Sequence, residues 1–184
     1  ARLDGTQALR IESGFNKAAI VSGAQTATLT FTLTQSAGVA AMSNINFAKA
    51  LPQSPYAMTM VAGTATTTCA GGTATISGTT LSMTGGSLPA ATATTGNTCT
   101  VTVQVTAPAG SSGLDVIAIA TGDATALVAS ANGAPATTVP SISYNNPQGR
   151  LTALNSRIDL SKDFSPVTVA LGGTSLLRIP ILNN

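Results

Sequence analysis

The 184-residue sequence has no histidine and no tryptophan, only two tyrosines, four phenylalanines and two cysteines, and just 8% charged residues. Each shortage removes a class of function. Without histidine there is no side chain whose ordinary pKa lies near neutrality for acid–base catalysis, and no imidazole to ligate a metal. The acids Asp4, Glu12, Asp115, Asp123, Asp159 and Asp163 are scattered singly, and the nearest two, Asp159 and Asp163, read as solvated carboxylates rather than a catalytic pair. No acidic spacing fits a calcium loop and no glycine-rich segment fits a phosphate loop. The expectation is a chain that is not an enzyme and holds no cofactor. Net charge is +2 with no Lys/Arg cluster, which leaves no electrostatic footprint for nucleic acid. No apolar run approaches the roughly 18 residues of a membrane span, so no membrane insertion is expected. A start at Ala1 with no signal-like apolar stretch reads as either a mature chain or a piece cut from a longer one.

What fills the sequence is Thr, Ala, Gly, Ser and Val, in short alternating runs. Glu, Lys, Arg and Gln are scarce, which disfavours helices, while β-branched residues favour strands. Thr28-Leu29-Thr30-Phe31-Thr32-Leu33-Thr34 alternates strictly and predicts a half-buried strand with Leu29, Phe31 and Leu33 inward. Ile45 and Phe47 predict another, as does Tyr56 to Ala62. Thr73–Ser77 and Thr80–Thr84 form a hairpin about Gly78-Thr79, with Gly85-Gly86 as a break. Cys99 to Thr106 is the clearest strand, and Leu114 to Ala120 follows as an apolar one. Between Thr121 and Pro147 the pattern weakens. Val139 to Tyr144 fits a strand, and Asp123 to Ala131 permits a helix. Short strands with turn signals between them indicate an antiparallel sandwich.

The end of the chain repeats its beginning. Phe15 and Phe164 are 149 positions apart, as are Gly23 and Gly172, and one residue of slack brings Leu29 onto Leu177. A period of this length indicates tandem domains rather than a solenoid. The predicted organisation is a linker at 1–8, a sandwich at 9–154, and the opening strands of a second unit at 155–184. Two or three strands cannot bury their apolar face or satisfy their edges alone, so the tail requires completion.

Cys69 and Cys99, 30 apart, read as one disulfide in a Thr/Gly-rich β chain, hence a secreted or surface protein. Two buried free thiols are the alternative. The regular threonines invite an ice-binding role, but the outer face of a sandwich accounts for them. The three lysines, Lys17, Lys49 and Lys162, leave room for a Lys–Asn isopeptide crosslink if one is buried beside an Asn and an acid.

Several segments together resemble a known type of domain. These are Ile158-Asp159-Leu160, Phe164-Ser165-Pro166 and Gly172-Gly173-Thr174-Ser175 with Leu177, Ile179 and Ile181. With them go Thr68-Cys69-x-Gly71-Gly72-Thr73, Gly85-Gly86-x-Leu88-Pro89 and Cys99-Thr100-Val101-Thr102-Val103. The whole resembles Thr-rich Ig-like tandem-repeat domains of bacterial surface proteins and adhesin stalks. The resemblance implies an Ig-like β-sandwich with a Cys69–Cys99 bridge, repeated as beads outside the cell. Arg178 and Pro180 depart from it where the pattern would have Thr, and Pro180 cannot donate to a ladder.

The expected function is a structural subunit of an extracellular filament or stalk, joined head-to-tail with copies of itself by strand donation. Leu160, Phe164, Val167, Val169, Leu177, Ile179 and Ile181 are the residues expected to be buried in the partner. The alternative is one repeat of a large adhesin, with loops between Thr121 and Pro147 contacting a carbohydrate or a host or matrix protein, Tyr144 being the aromatic candidate there.

Overall fold

Alternating strands account for the described chain. The structure, a computed structural model, describes residues 8–120, 122–128, 137–138, 142–144, 148–155 and 158–183. Residues 1–7 of the expected linker at 1–8 and most of the 129–147 loops therefore lie outside the described residues. The first third of the chain holds β1 (Leu9–Phe15), β2 (Ala19–Val21), β3 (Thr26–Gln35), β4 (Met42–Ala50), β5 (Thr59–Met60) and β6 (Thr66–Thr67). Next come β7 (Thr73–Ser77), β8 (Thr80–Leu88), β9 (Thr98–Thr106), β10 (Gly113–Ile117), β11 (Ala124–Val128) and β12 (Thr137–Thr138). The remainder is β13 (Ile142–Tyr144), β14 (Gly149–Leu154), β15 (Ile158–Leu160), β16 (Asp163–Ser165), β17 (Leu176–Arg178) and β18 (Ile181–Asn183).

The fold is an Ig-like antiparallel β-sandwich. One sheet runs β13-β1-β3-β9-β5, with β6 also on β9, and the other runs β12-β11-β4-β8-β7. A third sheet, β10-β14-β2, closes the side. Among the described residues only β1–β13 and β2–β14 pair in parallel. In β3, Ala27, Leu29, Phe31, Leu33 and Gln35 are buried while the intervening threonines stay half-buried, as period-2 alternation requires. Phe31 meets Phe47 of the opposite sheet with ring centroids 4.6 Å apart, tilted by 50°. Ser13 ties the first sheet to the third: it donates to the Ile117 carbonyl at 3.1 Å and accepts from the Gly149 N–H at 2.8 Å.

The disulfide is present: Cys69 and Cys99 are bonded, with Cα atoms 4.9 Å apart, and both are buried. It joins β9 to the crossing between sheets, where Ala70 bridges Ser87. Gly86 makes room for it, since a Cβ there would lie 2.9 Å from Met83 Sδ and 3.0 Å from Cys69 Cβ.

Four sequence expectations are corrected. Gly85-Gly86 does not end β8; the strand runs on to Leu88 through a bulge opposite Ile45 and Phe47, with Gly85 at φ +72°. Only Thr59–Met60 of the Tyr56–Ala62 run is a strand. Where the Ala-rich spacing permitted a helix, Ala124–Val128 pairs with β4, because Ala124 and Ala126 bury against the core. Ala8 is buried and its carbonyl accepts from the Ser36 N–H, so it belongs to the sandwich rather than to a linker.

Candidate assembly surface

The tail is a β-hairpin built from two short ladders. Ile158, Asp159 and Leu160 pair with Asn183, Leu182 and Ile181. Asp163, Phe164 and Ser165 pair with Arg178, Leu177 and Leu176. Both ladders share one register, and the Ser161 N–H donates to the Pro180 carbonyl at 3.3 Å between them.

That register is the one used by the first hairpin of the sandwich. In β1–β3, Leu9 pairs with Gln35, Ile11 with Leu33 and Phe15 with Leu29. Shifted by 149 on one strand and 148 on the other, these become Ile158–Asn183, Leu160–Ile181 and Phe164–Leu177, which are the pairs observed. Gly23 and Gly172, equivalent by the same shift, both sit at positive φ, +71° and +83°. At Gly23 a side chain is excluded twice over, by φ and by Ala109 Cβ 2.7 Å from where its own Cβ would lie.

The ladder is interrupted at Ile179 and Pro180, which lie between β17 and β18, but its register continues across the gap. In the first hairpin even-numbered β3 residues face β1 with their backbone groups, as Ser36 does to Ala8, and odd ones face β9, as Gln35 does to Asn97. Pro180 stands at the place of Thr32, so the N–H it lacks is one directed inward across the hairpin. Leu177, Ile179 and Ile181 keep their outward-facing N–H and C=O groups.

The two hairpins differ in what covers them. Leu29, Phe31 and Leu33 are fully buried, whereas Leu177, Ile179 and Ile181 are 47%, 59% and 68% exposed. Phe164 and Val169 are 48% exposed and Val167 is 85% exposed. Of the seven residues expected to be buried in a partner, these six are solvent-facing in the isolated chain; the side chain of Leu160 lies outside the described residues. Side chains of this size stabilise by about 1.5–3 kcal/mol each when buried, and a contiguous exposed group of them marks an interaction surface.

Elsewhere the polar groups are structural. Lys49 Nζ lies 2.8 Å from Asp123 Oδ2, and Lys17 donates to the Thr26 carbonyl. Neither described contact is the Lys–Asn pairing that an isopeptide bond requires. Glu12 pairs with Arg10 on the surface. On the outer threonine face, Thr66–Thr102 and Thr68–Thr100 hydroxyls bond each other across strands. Among the described residues no cluster of acids and cysteines is placed to hold a metal, and no helix is long and apolar enough to cross a membrane.

One buried acid escaped the sequence pattern. Asp115 is 1% exposed on β10 while its neighbour Leu114 is 47% exposed, the reverse of what hydropathy suggests. The strand's phase is set by Ile117, which is fully buried two residues on. Neither Asp115 oxygen has a hydrogen-bond partner of normal geometry; the nearby Tyr56 hydroxyl donates to the Leu151 carbonyl at 3.2 Å instead. Burial pushes the Asp115 carboxyl up to about 6, against a smaller lowering by Tyr56. Desolvation, then the Asp115 charge, pushes the Tyr56 phenol up to about 12. The folded state thus holds a proton that the unfolded chain releases near pH 3.8. The associated stability is complete below that value and is lost as pH rises through about 6. Two pKa units correspond to about 3 kcal/mol. Urea unfolding at pH 4 and pH 7 is expected to show that loss in the wild type and little of it in Asp115→Asn. An equal pH slope in both proteins contradicts the assignment.

A family profile described as Domain of unknown function (DUF7933) matches residues 10–142. No curated protein matches the chain.

Proposed function

The chain belongs to the DUF7933 family, and from that premise, which brings no activity with it, we propose that it is a structural bead of an extracellular filament or surface stalk. The observation that carries the reading is the tail hairpin, which has the register of the sandwich's own first hairpin but none of its cover. A hairpin of this kind is marginal in water alone and is stable when the rest of a sandwich packs on it. In the assembled protein it is the first hairpin of the next bead. The disulfide supports a location in an oxidising compartment, outside the cell.

Donation of the tail into an intact neighbour meets a filled place, because β1 and β3 already occupy the position between β13 and β9. The completing strands therefore belong to a unit whose own first hairpin is absent or displaced. Such a heterologous join does not close on itself, so it propagates a linear assembly. An adhesin repeat would share this architecture and add a ligand. Phe31, Phe47 and Tyr56 are buried, and the side chain of Tyr144, the aromatic expected to make such a contact, lies outside the described residues. The structural role is the reading we favour because the uncovered tail hairpin calls for completion.

The test is a chain extended after Asn183 by a second copy of residues 36–154. Light scattering and electron microscopy are expected to show a monomer with two folded beads in series. A second copy that stays unfolded, with the first bead intact, both in this chain and in its Lys162→Ser variant, overturns the reading.

A further inference from the structure

We infer that the outer edge of Leu176–Asn183 is built to receive a β9-type strand of a second unit of this fold, antiparallel and in one fixed register. The inference rests on the reading of the tail as the next bead's first hairpin, and it specifies the surface that makes the join. In the sandwich, β3 pairs with β9 so that Leu29 faces Val103, Phe31 faces Val101 and Leu33 faces Cys99. The same shift of 148 residues places Leu177 opposite the second unit's Val103 position, Ile179 opposite its Val101 and Ile181 opposite its Cys99.

Two features of the tail fit this partner. By the parity of the shared register the backbone groups of Leu177, Ile179 and Ile181 point outward; the strand is interrupted at Ile179 and Pro180, but the proline's missing donor faces the other way and takes nothing from this edge. The side chains of these residues are exposed, as is every described tail residue from 161 to 181, and by the shared register they occupy the phase that β3 presents to the core. A slip of one residue would carry all three to the solvent face, so the apolar pattern itself fixes the register. Arg178 then takes the place of Thr30, half-buried on the outer face, where a long charged side chain meets no core. Two positions fit less well: Lys162 falls where Ser13 is buried and hydrogen-bonded, and Ser175 falls where Ala27 is buried.

The register is read by a cysteine trap in the extended chain, residues 1–183 followed by a second copy of 36–154. Thr30 and Thr102 are directly opposed, in a pair not hydrogen-bonded to each other, at a Cα separation of about 4.5 Å that a disulfide spans. Arg178→Cys is combined in turn with Thr100→Cys, Thr102→Cys and Gln104→Cys in the appended copy. The Thr102 partner is expected to cross-link at least about tenfold more than the other two, because neighbouring outer-face positions are some 7 Å further along the strand. Preference for Thr100 or Gln104, or no cross-link in a chain whose second bead folds, overturns the register and leaves the bead reading standing. Lys162→Ser is made in parallel, so that a burial penalty at that position is not mistaken for a wrong partner. An appended copy that stays unfolded in both backgrounds overturns the inference and the bead reading together.

Discussion

Replacing Phe31 with alanine is expected to lower the unfolding free energy by about 3–5 kcal/mol, the range for deleting a fully buried ring. Phe31 has no exposed surface and lies at the centre of β3, between β1 and β9. Its ring crosses the gap between the two main sheets to reach Phe47, with centroids 4.6 Å apart, so the cavity opens where the sheets hold each other. The tilted pair adds about 0.5–1.5 kcal/mol beyond area burial. Thr30→Ala, one residue away on the half-buried face, is expected to change stability by less than about 1 kcal/mol. Urea unfolding of both variants measures the difference, and comparable losses would show that the core does not centre on this contact.

Replacing Cys69 and Cys99 together with alanine is expected to cost about 3–4 kcal/mol, from the chain entropy released when a loop of 30 residues opens. Both cysteines are buried, so their lost packing adds to the cost. The bridge fastens the central β9 to the segment that carries the chain from β6 in one sheet towards β7 in the other. Reductant should lower the wild-type urea midpoint to near that of the double variant and leave the variant unchanged. A wild-type midpoint indifferent to reductant contradicts a stabilising role for the bond.

The strands of the sandwich and of the tail were legible in the sequence for a simple physical reason. Leu29, Phe31 and Leu33 alternate with threonine so strictly that only a strand with one buried face satisfies them. The spacing from Phe15 to Phe164 and from Gly23 to Gly172 marked the second hairpin because an aromatic anchor and a positive-φ turn tolerate few substitutions. Other features were hidden by tertiary context. Gly85-Gly86 looked like a terminator, yet one glycine forms a bulge and the other clears space for Met83 and Cys69, contacts that only the folded chain reveals. Asp115 lay unseen inside an apolar run, since both phases of Leu114–Ala120 are hydrophobic and only packing decides which faces inward. Pro180 read as an irregularity in the ladder, and the strand is indeed interrupted at Ile179 and Pro180 while its register carries on. Whether a proline spoils a strand depends on which edge its nitrogen faces, and that follows from hydrogen-bond parity rather than from composition.

The central claim is that the tail hairpin is unfinished in the isolated bead and finished by the strands of a second. Amide hydrogen exchange at Leu177, Ile179 and Ile181 tests it most directly, because these three N–H groups point to the edge that the next bead would cover. In the chain alone they are expected to exchange nearly as fast as an open strand edge. In the chain extended by residues 36–154 they should slow by about a hundredfold or more, towards the protection of Leu29, Phe31 and Leu33. Exchange that stays fast in the extended chain, or is already slow in the single bead, contradicts the account.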